Sequence, residues 1–477
     1  MKKQVYNPYL PSYEYIPDGE PRVFNERLYI FGSHDRFDAR SFCQNDYVSW
    51  STPVDDLSAW TYHGIIFRKE DDPLNDQGYP LFAPDVIRGN DDRYYLYYAP
   101  AGTGSIGVAM SGTPEGRYSF HAHVRYKDGT LLGKKDFDPH PFDPAIFIDD
   151  DQRIWLYIGF SPDPSWDFLE REFGTHPLQD GAWLVELEED MATIKEGPFR
   201  LKIEDCPEHG HDFFEAPSMR KIDGRYYFIY SSFNSHELAY AISEDPKGPY
   251  HYKGILHDNG DIGLVPEKDR VSYTGNNHGS LMKVKDKWYI FGHRQTNYCV
   301  YSRQAIAEEI HMNEDGTFKQ AEMTSCGLNG AALIPSGRYG AYIACHLTAK
   351  EGAFHYDGIC AEEVKLHHPA FSQDGEDREC DPKQFIRNMY DGSVCGFKWF
   401  SYKKDLQIAI SSRGDEGHIE VRTKLNGPVL TTISISSHED FTQSERRSLQ
   451  IGPCERFALY LTYKGKGRID LLDFELS

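Results

Sequence analysis

No stretch of the 477-residue sequence approaches the roughly 18 consecutive apolar residues that a membrane-spanning helix needs. Positive charge is scarce as well. There are 51 Lys and Arg against 74 Asp and Glu, a formal net charge of -23. That balance argues against nucleic acid or an anionic membrane as partner, because both demand a basic face. The nine cysteines form no CxxC pair and no regular framework, which removes the usual zinc and disulfide-scaffold readings. The N-terminal stretch "MKKQVYNPYLPSYEYIPDGEP" has two lysines but no uninterrupted apolar run behind them. It does not read as a signal peptide, so a cytoplasmic location with reduced thiols is the expectation. Helical periodicity is also missing from most of the chain.

Aromatic strands are what the chain has in abundance, with 32 Tyr and 28 Phe. One pattern recurs: a short lead-in, a turn-prone stretch, then an aromatic strand. Its instances are "GEPRVFNERLYIFGSHD", "FAPDVIRGNDDRYYLYYAP", "FDPAIFIDDDQRIWLYIGF", "FEAPSMRKIDGRYYFIYSS" and "HGSLMKVKDKWYIFGHR". Anchored on Tyr29, Tyr95, Trp155, Tyr227 and Tyr289, they are spaced roughly 60 to 70 residues apart, longer than the usual propeller repeat but open to lengthening by loops. Each instance holds two adjacent strands around a polar turn, and further strand-like runs such as "IGVAMSG" and "LAYAISE" follow. Four strands per unit and five units predict a five-bladed β-propeller.

Roughly 10 to 12 residues ahead of each anchor stands an ionisable residue: Asp18, Asp85, Asp143, Glu215 and His278. Each taken singly has an ordinary explanation as a turn or loop residue. Turn residues have no reason to keep phase with a repeat, however. If each position opens an innermost strand, the five converge on the propeller axis as a site.

Two carboxylates in unlike surroundings are the minimum equipment for hydrolysing a glycosidic bond. One must stay protonated near neutrality, which apolar surroundings or nearby negative charge bring about. Glu215, between Phe214 and Ala216, suits that role. Asp18, beside the exposed backbone of Gly19, suits the ionised base that activates water. Asp143 is the third carboxylate, placed to hold the acid and raise its pKa by like-charge repulsion. Arg294, in "FGHRQ", is the candidate cation for orienting an acid or binding sugar hydroxyls.

Together these segments, in order over about the first 320 residues, resemble glycoside hydrolase family 43. The resemblance implies a five-bladed propeller and an inverting, exo-acting hydrolase, chiefly β-xylosidase, α-L-arabinofuranosidase or arabinanase. It implies Asp18 as general base, Asp143 as pKa modulator and Glu215 as general acid. His278 and Arg294 correspond to the family's central histidine and active-site arginine, and His34 of "FGSHD" and Asp85 join them as substrate-binding residues. The substrate expected is a pentose-containing oligosaccharide, with terminal α-L-arabinofuranose ahead of xylose. No cofactor is required for the chemistry. In some members the central histidine holds calcium or water at the axis, which makes His278 a candidate metal ligand. Where the family usually has Asp-Pro, this chain has Asp18-Gly19 followed by Glu20, which leaves Glu20 as the competing carboxylate for the base.

After "NEDGTFKQAEMTSCGLNGAAL" the aromatic repeat stops and alternating strands follow, among them "VCGFKWFSY", "LQIAISSR" and "HIEVRTKL". That patterning predicts a β-sandwich of jelly-roll type over residues 321–477, after a catalytic propeller over 1–320. The stretch "DREC…GFKWF…EVRTKLNGP…LYLTYKGKGRIDLLDFEL" is similar to family 6 carbohydrate-binding modules, a resemblance that makes Asp473 a candidate ligand for a structural calcium. Retaining fructosidases share a propeller-plus-sandwich plan, but their Asn-Asp-Pro, Arg-Asp-Pro and Glu-Cys segments do not occur here in order. A non-catalytic sugar-binding propeller would be expected to have lost one of the three acids.

Overall fold

The computed structural model describes residues 3–163, 181–207, 210–265, 270–378 and 383–477. Strands dominate, arranged first as five successive antiparallel sheets. The first contains Glu20–Phe24, Arg27–Phe31, Tyr47–Pro53 and Thr61–Phe67. The second contains Leu81–Arg88, Tyr94–Pro100, Gly107–Ser111 and Ser119–His123. The third contains Ala145–Ile148, Ile154–Gly159, Ala182–Leu187 and Ile194–Arg200. The fourth runs Phe213–Ile222, Arg225–Ser232, Glu237–Ser243 and Tyr250–Asp258, with Ile203–Glu204 added in parallel at its edge. The fifth has three strands, Leu281–Val284, Lys287–Thr296 and Cys299–Ile310.

The sequence repeat has a direct structural counterpart. Each aromatic anchor lies on the second strand of its sheet, and each polar turn joins that strand to the first. Two of these turns are tight enough to need positive φ at both centres: Asn25-Glu26 (φ 47° and 59°) and Asp223-Gly224 (φ 49° and 80°). Such turns match the right-handed twist of the strands they join.

Apolar side chains fill the space between consecutive sheets. Tyr29, Phe31, Leu96 and Tyr98 pack between the first and second, and Tyr97, Val108, Leu156 and Ile158 between the second and third. Tyr157, Leu184, Phe228 and Tyr230 pack between the third and fourth, and Ile229, Tyr240, Leu281 and Ile290 between the fourth and fifth. The cycle closes where Leu28 and Ile30 of the first sheet meet Phe291 and Ala305 of the fifth. First strands touch between the first and second, second and third, third and fourth, and fifth and first sheets. The fourth and fifth are tied by Arg220 Nε donating to Leu281 O at 2.7 Å. A parallel bridge from Gly19 to Gly279 ties the fifth back to the first. A side chain at Gly279 would collide with the Phe291 carbonyl, so this closure requires glycine.

Beyond Ile310, two further sheets face one another. One contains Ala370–Gln373, Gln384–Met389, Ile469–Leu476, Leu406–Gly414 and His438–Gln443. The other contains His346–Thr348, Val394–Ser401, Arg456–Lys464, Gly417–Arg422 and Thr431–Ile435. Ile386, Ile408, Ile410 and Phe474 from one meet Phe397, Phe400, Leu459 and Leu461 from the other in a common core. Tyr273 and Val300 join the same core, so the two halves of the chain share packing. Glu379 and Cys380, part of the "DREC" stretch, lie outside the described residues.

Candidate active site

The starts of the first strands carry the predicted site residues. Asp18, just ahead of the first sheet, and Asp143, just ahead of the third, both adopt left-handed backbone (φ 58° and 47°). Ala216, next to Glu215, does the same at φ 61°. Each such residue costs on the order of 1–3 kcal/mol and persists only where its surroundings over-determine it. The rigid apolar packing between the sheets provides that constraint. The strand Phe213–Ile222 also shifts register on either side of Glu215, and this bulge re-aims the side chain. The result is one cluster: the Ala216 amide donates to Asp143 Oδ2 at 3.2 Å, and His278 Nδ1 stands 3.7 Å from the same oxygen.

Asp18 is buried, and burial alone would push its carboxyl upward. Arg303, Nη1 to Oδ1 at 2.9 Å, is the strongest of the opposing influences, and with His293, His278 and Ser33 it holds the pKa below the usual aspartate value. Asp18 is therefore ionised. Its backbone N–H donates to His293 Nδ1 at 3.3 Å, and the other ring nitrogen of His293 lies 2.7 Å from Asn276 O. Those two contacts fix the neutral tautomer with hydrogen on Nε2. Burial, reinforced by Arg303, pushes the His293 pKa down to about 3, so the ring is uncharged.

Glu215 behaves in the opposite way. Burial first, and then the negative charge of Asp18, raise its pKa to about 8, with Arg303 pulling it back. The like-charge contribution expected of Asp143 comes instead from Asp18. Asp143 is itself raised well above the ordinary range, by burial first and then by the charges of Glu215 and Asp18. His278 is neutral, its pKa pushed to about 4 chiefly by burial. Glu215 is partly exposed whereas Asp18 and Asp143 are buried, so Glu215 is the most accessible of the three. Aromatic rings stand beside the acids: Phe214 lies 5.4 Å from Phe160, which lies 5.1 Å from Phe142, the residue preceding Asp143.

Four predicted residues are brought together: Asp18, Asp143, Glu215 and His278. Four are not. Asp85 is gripped by Arg22, Nε to Oδ1 at 2.9 Å and Nη2 to Oδ2 at 2.5 Å, and also accepts from the Ile146 amide at 2.8 Å. It joins sheets rather than offering oxygens to a sugar. His34 is buried against Glu14, Nε2 to Oε1 at 3.3 Å, with Nδ1 2.8 Å from Asp46 O. Arg294 donates to Gln304 Oε1 at 2.8 Å and to Ala344 O at 3.1 Å, and lies 3.8 Å over the Phe371 ring. It faces the C-terminal sheets, and the arginine that meets Asp18 in the carboxylate cluster is Arg303. Asp473 accepts from Ser411 Oγ at 2.6 Å and pairs with Arg338 at 3.5 Å.

Glu20, the competing carboxylate, is held by Arg220, by Ser218 Oγ at 3.2 Å and by Arg22 at 3.7 Å, apart from the cluster. Among the described residues, the group with metal-ligand proximity is His236, Glu237 and Asp258, which contains neither His278 nor Asp473.

Arg303, Asp35 and His293 were missed by sequence reasoning. Arg303 Nε and Nη2 take both oxygens of Asp35, at 2.8 and 3.0 Å, leaving Nη1 for Asp18. Phe42 lies 4.7 Å beneath the guanidinium. A signal existed in "CVYSRQAIAEEI", where a cation stands inside a strand with buried neighbours and so demands carboxylates. Asp35 follows His34 directly, but nothing local distinguishes which of the pair points inward.

Residues 24–318 match the glycosyl hydrolases family 43. The whole chain is 44% identical over 486 residues to a xylosidase/arabinosidase of Thermoclostridium stercorarium, covering 100% of this chain and 99% of that protein. Xylosidase/arabinosidase 43A of Humicola insolens is 30% identical over 347 residues, 63% of this chain and 95% of its own. Among solved structures, a family 43 arabinoxylan arabinofuranohydrolase from Bacillus subtilis, in complex with cellotetraose, aligns with a TM-score of 0.51 at 20% identity. That alignment covers 99% of this chain and 97% of the other, and at this identity the likeness is one of fold.

Proposed function

The chain belongs to glycosyl hydrolase family 43, and we propose that it is an inverting, exo-acting enzyme that releases terminal pentose from arabinoxylan- or arabinan-derived oligosaccharides. It is a glycoside hydrolase; the stereochemistry, mode of attack and sugar are the proposal. One observation carries it: within a single cluster, Asp18 is held ionised while Glu215 is held protonated to about pH 8. Two carboxyls whose surroundings push their pKa values apart are a base and an acid.

In this reading Asp18 accepts a proton from water as the water attacks the anomeric carbon. Glu215 protonates the departing glycosidic oxygen from the other side. Both acts occur in one step, so the anomeric configuration inverts. Asp143, anchored by the Ala216 amide next to Glu215, keeps the acid in place. The chemistry uses carboxyl groups alone and needs no cofactor. The five sheets packed in a cycle are read as the blades of a five-bladed propeller over residues 1–320, with the site at its axis. Residues 321–477 are read as a β-sandwich of carbohydrate-binding-module type.

Bifunctional action on both xylose and arabinofuranose is favoured over arabinofuranose alone. The relative that matches from end to end is named for both sugars. We further propose a cytoplasmic location and imported oligosaccharides as substrate; the eight cysteines among the described residues are free thiols, as a reducing compartment would keep them. Cell fractionation checks the location. For the activity, nitrophenyl α-L-arabinofuranoside and β-D-xyloside are assayed side by side, with NMR of the first-formed anomer. Turnover of both with inversion is expected; net retention would overturn the mechanism, and turnover of one sugar alone would overturn bifunctionality.

A further inference from the structure

Arg303 is aimed at Asp18 by the segment 34–45. Asp35 takes the guanidinium fork, Phe42 lies beneath it, and the Cys43 amide donates to Asp35 Oδ1 at 3.0 Å. Within it Arg36, Asp38, Arg40 and Ser41 are exposed, while Phe37 lies 5.6 Å from Tyr15 and Phe42 4.7 Å from Tyr301. Two of its residues, Asp38 (φ 60°) and Cys43 (φ 57°), adopt left-handed backbone. Polar contacts add to this ring packing in holding it. On the strand side the Asp38 amide donates to Ser302 Oγ at 3.2 Å.

A further hold comes from the C-terminal region. Asp377 is only 2% exposed, and its carboxylate accepts from the Phe37 amide at 2.9 Å and from Asn45 Nδ2 at 3.0 Å. The same Asn45 amide group donates to Asp35 O at 3.0 Å. A short chain of contacts thus runs from Asp377 through Asn45 to Asp35, then Arg303, then Asp18. The adjacent Arg378 places Nε 2.7 Å from Glu14 Oε1 and its guanidinium 4.3 Å over the Tyr62 ring. Glu14 faces His34, at the start of the segment. A carboxylate buried against neutral donors is costly unless those donors are held in register, and here the donors belong to the segment that carries Asp35.

We propose that Asp377 and Arg378 are positioning residues for the catalytic base, by which the C-terminal region fixes segment 34–45 and so keeps Arg303 on Asp18. The proposal rests on the hydrolytic role of Asp18 given above. It assigns the C-terminal sheets a part in catalysis that does not depend on their binding sugar.

The test uses the full chain, with Asp377→Ala, Asp377→Asn and wild type compared in two measurements. The first is kcat and KM on nitrophenyl xyloside and arabinofuranoside. The second is hydrogen exchange over residues 35–45. Asp377→Ala is expected to lower kcat about tenfold with KM within about twofold, since misplacing a catalytic group costs rate more than binding. Exchange over 35–45 is expected to accelerate in the same variant. Asp377→Asn keeps an acceptor for the Phe37 amide and should recover most of the lost kcat. A folded Asp377→Ala with unchanged kcat overturns the proposal, as does lost activity with wild-type exchange over 35–45. If Asp377→Ala does not fold, Asp377→Asn decides: a smaller kcat loss with faster exchange supports the proposal, and wild-type values overturn it. If the wild type turns over neither glycoside, the hydrolytic reading fails separately. Exchange then judges the clamp alone, unchanged protection in the variants counting against it.

Discussion

Arg303 reaches Oδ1 of Asp18 at 2.9 Å with the one guanidinium nitrogen that Asp35 leaves free. This contact helps keep Asp18 ionised, as the proposed base must be. Without it, burial and the neighbouring carboxyls would favour the protonated form, which cannot accept a proton from water. The same guanidinium pulls the Glu215 pKa down, though not far enough to ionise it at neutrality. One cation thus tunes both carboxyls of the proposed acid–base pair.

Replacing Arg303 should therefore do more than slow the enzyme. Arg303→Lys keeps a charge but cannot grip Asp35 with two nitrogens while offering a third to Asp18. The Asp18 pKa should rise, and the acidic limb of kcat/KM against pH should move upward with it. Arg303→Met should lower kcat by about 10²- to 10⁴-fold, the range expected when a general base loses its proper state. A pH–rate profile of each variant at saturating and limiting substrate checks both outcomes.

Glu215→Gln removes the proton donor. Turnover of natural xylo- or arabino-oligosaccharides should fall by about 10²- to 10⁴-fold, while nitrophenyl glycosides, whose leaving group needs little protonation, should lose much less. In the wild type, the alkaline limb should reflect Glu215 losing its proton, with kcat/KM falling above about pH 8. That limb should vanish from the residual activity of the variant. Paired assays on an oligosaccharide and an aryl glycoside across pH 5 to 10 test it.

The legible part of this site was the part that repeats. Asp18, Asp143, Glu215 and His278 keep phase with the aromatic strands because the same strand start recurs in each sheet, and phase is visible in a sequence. Asp85 keeps phase too, yet it pairs with Arg22 across a sheet boundary. Position in a repeat fixes where a side chain begins, not which partner takes it. Arg303 and Asp35 lie 268 residues apart and meet only through the closure of the cycle. No local pattern announces such a pair. Arg294 was the more conspicuous arginine because it follows the last aromatic anchor, but strand alternation turns it toward Gln304 and Phe371.

The raised pKa of Glu215 has a consequence for stability. A carboxyl whose folded pKa lies above its unfolded value favours the folded state least when both states are ionised. Its burden on the fold is absent below about pH 4.5 and grows as pH rises toward about 8. Glu215→Gln abolishes that burden. The variant should be as stable as wild type near pH 4.5 and more stable at pH 8, by on the order of 1 to 2 kcal/mol once partial exposure and the coupling to Asp18 are discounted. Thermal unfolding of both proteins at the two pH values measures the difference; equal melting temperatures at pH 8 would contradict the origin of the shift.

Arg294 provides the complementary case, a buried cation outside the catalytic cluster. Burial pushes its pKa down to about 9, and its contacts are the Gln304 side chain, the Ala344 carbonyl and the Phe371 ring. Gln304 in turn donates to Gln384 Oε1 at 2.9 Å, so the arginine belongs to a polar network joining the fifth sheet to the C-terminal sheets. Arg294→Ala leaves two buried acceptors without a donor and removes the ring contact, which should cost about 2 to 4 kcal/mol of stability. Its effect on chemistry should be small: kcat/KM of the folded enzyme within about threefold of wild type, with both limbs of the pH profile unmoved. Calorimetry paired with a pH–rate profile separates the two effects. A displaced acidic limb in Arg294→Ala would mean that this arginine, and not only Arg303, acts on Asp18.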